Sequence, residues 1–230
     1  MTRKTPVISI LLVDDEQRFR QGLRTLLDFY NDRGELKFKI IGEAATVEQM
    51  LSVTQKQQPT LILLDLELSE NKAENNGIDA LLGLQELSYT GKVLVLSSHQ
   101  DDSWIFRAMQ GGAMGYVFKD CLAAQLYNAI ATVIDDKIYL APEVATRFFR
   151  HFQFYAGHSL PIAKSLKLTE REQEVLHWLV QGASNDAIAK NLYITVATVK
   201  AHLSSIFTKL EVKNRTQAIV KALRLGLVQA

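Results

Sequence analysis

The sequence predicts two units in series: an α/β domain on a five-stranded, doubly wound parallel sheet, then a smaller domain of four helices. Two observations carry the expectation. Through the first 137 residues, short apolar runs alternate with longer amphipathic segments, the pattern of a parallel sheet covered by helices on both faces. From Leu168 onward no comparable run occurs, and apolar residues recur instead at helical spacing.

The strand candidates are Val7 to Val13, Phe38 to Gly42, Thr60 to Leu64, Lys92 to Leu96 and Gly115 to Phe118. The helices expected between and after them are Gln17 to Tyr30, Val47 to Lys56, Ile78 to Leu87, Asp102 to Gly111 and Ala123 to Asp135. Pro59 and Gly91 stand where connections re-enter the sheet, interrupting no strand. Residues 138–165 form an interdomain linker with a short helix from Pro142 to about Phe152, since proline is tolerated in a first turn. Its aromatic stretch RFFRHFQFY suits either packing on a neighbour or communication between domains.

The second domain, 166–230, carries strong boundary signals. Thr169 and Glu172 form a capping box ahead of Val175, Leu176 and Leu179, and Gly182 closes that helix. Ser184 caps a second helix through Leu192. Thr195 caps a third, along which Val199, Leu203, Ile206 and Leu210 recur at three- and four-residue spacing. A fourth runs from Arg215 to Leu225 and ends at Gly226. Two short helices joined through LYIT, the second amphipathic, make a helix-turn-helix signature.

Composition sets the outer bounds. An apolar fraction of 47% with 22% charged residues excludes wholesale disorder. The absence of a long uncharged apolar run, and the early acids after MTRKTPVISILLV, predict a soluble, cytosolic chain with no membrane partner. One cysteine, Cys121, excludes an intrachain disulfide or a cysteine metal cluster. Residues 1–150 hold 16 basic against 20 acidic side chains, net −4, whereas residues 151–230 hold 10 against 5, net +5. Only the second part suits a polyanion.

Asp14 and Asp15 end the first strand and Asp65 the third, at the sheet edge where open α/β folds place ligand chemistry. Three converging carboxylates suit a hard divalent cation such as Mg²⁺. No glycine-rich phosphate loop follows the first strand, which argues against a nucleotide site. Ser97 and Lys119 at two further strand ends add a hydroxyl and an ammonium. Together they suit in-line attack by a carboxylate on phosphorus, with Asp65 as nucleophile, Lys119 balancing charge and Ser97 holding the transferred group.

VDDE, LLDLE, VLVLSSH and AMGYVFKD resemble the receiver domain of two-component response regulators, a flavodoxin-like fold, here over residues 1–137. The run from LTEREQEVL through TVKAHL to NRTQA is similar to the LuxR/NarL/FixJ-type helix-turn-helix domain. The resemblance implies that Asp65 accepts a phosphoryl group from a sensor histidine kinase. It implies that Asp14, Asp15, Asp65 and the backbone carbonyl of Glu67 hold Mg²⁺, and that Ser97 and Lys119 read the acyl phosphate with Tyr116 as a switch ring. It also implies a phosphorylation-dependent homodimer on double-stranded promoter DNA, with RNA polymerase as a further partner. One departure stands out. Leu68 and Ser69 replace the usual Met-Pro, and Gly77 comes twelve residues after Asp65, so SENKAENNG reads as a four-residue expansion of the site loop.

On the third helix, Lys200, Ala201 and Ser204 share the outward face with Thr208 and are matched to base-reading positions. Thr198, His202, Lys209, Lys213 and Arg215 are candidates for phosphate contacts. The competing functions are a metal-dependent phosphohydrolase with an aspartate nucleophile and a DNA-binding regulator that works without phosphorylation. The HTH domain, and Glu67 two residues after Asp65, argue against the first, and the altered loop motivates the second.

Overall fold

In an extended chain successive side chains face opposite sides, so a strand buried on both faces must be apolar at odd and even positions alike. The first domain is built this way in the computed structural model, which describes residues 7–68, 77–156, 168–225 and 227–228. Its strands are β1 (Val7–Val13), β2 (Lys37–Ala44), β3 (Leu61–Asp65), β4 (Lys92–Ser97), β5 (Gly115–Phe118) and β6 (Tyr139–Leu140), all parallel in the order β2-β1-β3-β4-β5-β6. The helices are α1 (Gln17–Arg33), α2 (Val47–Gln57), α3 (Gly77–Glu86), α4 (Asp102–Gln110), α5 (Leu122–Ile134) and α6 (Pro142–Ala156). Leu11, Val13, Ile62, Leu64, Val93 and Val95 pack toward α2, α3 and α4. The intervening Ile10, Leu12, Leu61, Leu63, Leu94 and Leu96 pack toward α1 and α5. Each fully buried side chain of this size contributes roughly 1.5–3 kcal/mol. A one-residue register slip would therefore be resisted from both faces.

The five-strand expectation is corrected to six. Tyr139–Leu140 adds a two-residue strand, with the Tyr139 N–H donating to the Met114 carbonyl at 2.9 Å. So short a run has no period to read. The sheet thus continues past residue 137, and α6 extends four residues beyond the expected Phe152. Of the two readings of the linker, packing is observed. Val144 and Phe148 enter the core, the Phe148 ring lies 5.7 Å from that of Phe106 in α4, and Arg147 donates to the Gln100 carbonyl. Residues 157–165 lie outside the described residues.

The second domain comprises α7 (Glu170–Val180), α8 (Asn185–Leu192), α9 (Val196–Lys209) and α10 (Arg215–Arg224). All three expected caps form. Thr169 and Glu172 make the reciprocal capping box, Ser184 accepts from Ala187 N at 3.2 Å, and Thr195 accepts from Thr198 N at 3.1 Å. Gly182 takes φ +78°, the left-handed conformation that ends α7 without a Cβ penalty. Val175, Leu176, Leu179, Ile188, Val199, Leu203, Ile206 and Leu210 form its core. Gly226, the expected end of α10, lies outside the described residues.

The domains touch through α10 and through Asn185 of α8, whose amide donates to Asp136 Oδ2 at 3.0 Å. Thr216 donates its hydroxyl to the Ala113 carbonyl at 3.0 Å, and Gln217 donates its amide to the Gln110 carbonyl at 2.7 Å. Val220 is buried among the first domain's apolar residues. Among the described residues no helix is long and apolar enough to cross a membrane.

Candidate functional site

The order of the strands reverses around β1, and the carboxyl ends of β1 and β3 leave a crevice there. Asp14 follows the last residue of β1 and Asp65 ends β3, one strand away from Ser97 at the end of β4. Asp14, Asp65 and Ser97 are buried, whereas Asp15 is exposed. Oxygens of Asp14, Asp15 and Asp65 lie within 4.8 Å of one another. Lys119, just beyond β5, places Nζ 2.8 Å from Asp14 Oδ2 and 2.7 Å from Asp65 Oδ2. Asp65 Oδ1 is buried without a hydrogen-bond partner.

Burial raises the Asp65 carboxyl to about 7, against the pull of the Lys119 ammonium. Asp15, although exposed, is raised first by partial desolvation of its carboxyl and second by the charge of Asp14. For Lys119, burial works against the charge, but the two carboxylates outweigh it and hold the ammonium above its ordinary value. A carboxylate cluster with one inner oxygen unpaired, and a single ammonium serving two acids, fits the oxygen-donor set of a hard divalent cation.

Ser97 does not cap α4. Its Oγ accepts from the His99 N–H at 3.0 Å, while Asp101 caps the helix through the Ser103 N–H at 2.7 Å. Tyr116 points inward and is fully buried, donating its hydroxyl to the His99 carbonyl at 2.9 Å. Burial pushes its phenol up to about 12. The Glu67 side chain meets His99 Nε2 at 2.8 Å.

Sequence reasoning missed His99, which touches three of these groups and stacks on Trp104 with ring centroids 4.6 Å apart. Its place in VLVLSSH, two residues past Ser97, was the available signal. Also missed was Arg20, whose Nη1 donates to the Asp14 carbonyl at 2.6 Å from the first turn of α1. Gly77 closes the expanded loop, its N–H donating to the Leu66 carbonyl at 2.9 Å. A Cβ there would lie 2.5 Å from the Asp65 carbonyl oxygen, so the position admits only glycine. Residues 69–76 lie outside the described residues.

On α9 the structure leaves Lys200, Ala201 and Ser204 exposed, with Val199, Leu203 and Ile206 turned inward. Thr198 and His202 are half-buried, and the Thr198 hydroxyl bonds that of Thr195 at 2.8 Å. Lys213 is exposed beyond α9. Two other candidates are engaged within the protein. Lys209 Nζ lies 2.6 Å from the buried Glu172 carboxylate, and Arg215 is buried, donating through Nη2 to the Ala183 carbonyl at 2.6 Å. Lys200, Ser204 and Lys213 line a cleft whose opposite wall is the first domain.

The family described as response regulator receiver domain matches residues 10–131, and bacterial regulatory proteins of the luxR family match residues 166–222. The transcriptional regulatory protein DegU of Brevibacillus brevis is 32% identical over 234 residues, covering 96% of this chain and 95% of that protein. LiaR of Bacillus subtilis is 33% identical over 223 residues, covering 96% and 100%. Among solved structures, the RcsB response regulator of Salmonella typhimurium matches with TM-score 0.56 at 19% identity, over 94% of this chain and 97% of that one. A LuxR family response regulator from Aurantimonas sp. SI85-9A1 matches with TM-score 0.56 at 25% identity, over 64% and 98%. With each domain matched and relatives aligned along nearly the whole chain, the protein belongs to the DNA-binding two-component response regulators of the LuxR family.

Proposed function

We propose that this is a cytoplasmic transcription regulator switched by Mg²⁺-dependent phosphorylation of Asp65, with a sensor histidine kinase as phosphodonor. The observation that carries the reading is the Lys119 ammonium shared by two buried carboxylates, one of which keeps an unpaired oxygen. A carboxylate oxygen of Asp65 attacks phosphorus as the bond from phosphorus to the donor's imidazole nitrogen breaks. The electron pair stays on that nitrogen, and the ring, already protonated on its other nitrogen, leaves as neutral imidazole. Asp14, Asp15, Asp65 and the Glu67 carbonyl are the residues to hold Mg²⁺, which would supply positive charge to the phosphoryl oxygens. Lys119 moves its hydrogen bonds from Asp65 to the new phosphoryl group, and the Ser97 hydroxyl turns from the His99 N–H to donate to it. That change reaches Tyr116 through the His99 backbone, which the phenol holds. The chain catalyses only its own phosphorylation and dephosphorylation.

The output is DNA binding. Lys200, Ala201 and Ser204 read base edges in the major groove, and Thr198, His202 and Lys213 contact phosphates. Lys209 and Arg215 reach phosphates only if they leave Glu172 and Ala183. Because the reading face lines the interdomain cleft, DNA is engaged after the domains separate. A homodimer on a two-fold promoter site doubles the few phosphate contacts one domain offers, and RNA polymerase is a further partner.

The test is intact-mass analysis after incubation with Mg²⁺ and acetyl phosphate. One acid-labile phosphoryl group per chain is expected. Its absence from the folded wild type would defeat the phosphorylation switch in favour of a regulator that binds DNA without it.

A further inference from the structure

The interdomain cleft has a volume of about 780 Å³, within the roughly 300–1,000 Å³ of small-molecule sites. Four basic side chains line it, Lys92 from β4 and Lys200, Lys213 and Arg215 from the second domain, against the carboxylate of Asp136. That carboxylate is already shared. Lys92 bonds its Oδ1, and Asn185 donates to its Oδ2 at 3.0 Å.

Three buried polar atoms of lining residues have no partner: Asn185 Oδ1, Asn214 Nδ2 and Arg215 Nε. Asn185 is 8% exposed and Arg215 9%. A buried polar atom left unpaired destabilises a protein, and two of these three are N–H donors. Burial also draws the Arg215 guanidinium down to about 10, with Asp136 only partly offsetting it. An acceptor-rich anion answers both the excess positive charge and the unpaired donors, and a cation or neutral solute answers neither. Leu203, Phe207 and Tyr89 add an apolar wall for the uncharged part of such a molecule.

We propose that this cleft binds a small phosphate-bearing molecule, whose phosphoryl oxygens accept from Arg215 and Asn214 and which holds the two domains together. The ligand and DNA then exclude each other, because Lys200, Ser204 and Lys213 serve both, and the linkage is reciprocal. That competition rests on the DNA-interface reading; the binding does not.

Calorimetric titration of the full chain in EDTA, at constant ionic strength, tests the binding with AMP, inorganic phosphate and adenosine as probes. Saturable binding of AMP or phosphate is expected, and comparison of those two arms tells a nucleotide-sized ligand from free phosphate. No saturation up to about 10 mM, or adenosine binding as tightly as AMP, overturns the proposal. Arg215→Gln is the obvious variant but removes a bond to Ala183, so Asn214→Asp, which keeps the oxygen that accepts from the Gln217 N–H, and Lys92→Gln are used beside it. Each should bind about ten-fold more weakly. Wild-type affinity in both folded variants places the ligand elsewhere and overturns the assignment. In DNA titrations by anisotropy, AMP should weaken wild-type binding, and about ten-fold more AMP should be needed for the same effect on Asn214→Asp. AMP binding without competition would sink the DNA-interface reading of Lys200 and Ser204 while leaving the ligand site standing.

Discussion

The ammonium of Lys119 stands 2.7 Å from Asp65 and occupies one carboxylate oxygen while the other has no partner. The proposed nucleophile and its proposed charge-balancing group are therefore separable by mutation. Asp65→Asn should retain the fold and lose the acyl phosphate in intact-mass analysis. Lys119→Ala should still label, more slowly, yet fail to shift toward dimer when labelled. Full labelling of Asp65→Asn at an aspartate, or an unchanged dimer shift in Lys119→Ala, would contradict these roles.

A second relationship sets acid stability. Glu172 accepts from Thr169 N at 2.7 Å, Ser205 Oγ at 2.6 Å and Lys209 Nζ at 2.6 Å. Burial opposes its charge, but these bonds win and hold the carboxyl down at about 2. A depressed carboxyl stabilises the fold above its unfolded value of 4.5, and that contribution is lost as pH falls from 4.5 through about 2. Glu172→Gln should flatten this limb of the melting profile, and Glu172→Ala should cost the second domain roughly 2 kcal/mol in urea titrations at neutral pH. An acid limb identical in Glu172→Gln would show that other carboxylates carry it.

Contact between the domains depends on a few polar bonds. Thr216→Val keeps the buried shape and deletes the hydrogen bond to Ala113. A net loss of about 1 kcal/mol favours separation about five-fold. DNA affinity of the unphosphorylated protein should rise by up to that factor. Unchanged affinity, with unchanged radius of gyration in solution scattering, would mean that this bond does not hold the domains.

Base reading and phosphate attachment can also be told apart. Lys200→Ala should cost about 1–3 kcal/mol on a preferred duplex selected from a random pool and less on a scrambled one. Lys213→Ala should weaken both alike and reduce the salt slope by about one contact. Equal losses from Lys200→Ala on both duplexes would remove it from the base-reading set.

How legible the molecule is from its sequence follows from the range of each interaction. Strands such as LILLD announce themselves because burial on both faces demands continuous apolar residues, and the caps at Thr169, Ser184 and Thr195 act within three residues of the chain. Asp14, Asp15, Asp65 and Lys119 were legible because each sits at or just past the end of an apolar run. Long-range partners were not. Nothing near Lys209 in sequence points to Glu172, 37 residues away, and nothing near Arg215 points to Ala183. The facing of α9 toward the first domain depends on bonds such as that from Thr216 to Ala113, 103 residues apart, for which no local period exists.

The bond from Gly77 to Leu66 turns the expanded segment into a closed loop with fixed ends. Loop-closure entropy grows only as the logarithm of length, so lengthening such a loop by four residues from a base of about six disfavours closure by about 0.5 kcal/mol. Length between Leu68 and Gly77 is thus nearly free to vary thermodynamically, provided the glycine remains at the junction. Residues can therefore be added or removed between these two ends without disturbing the sheet that Asp65 terminates.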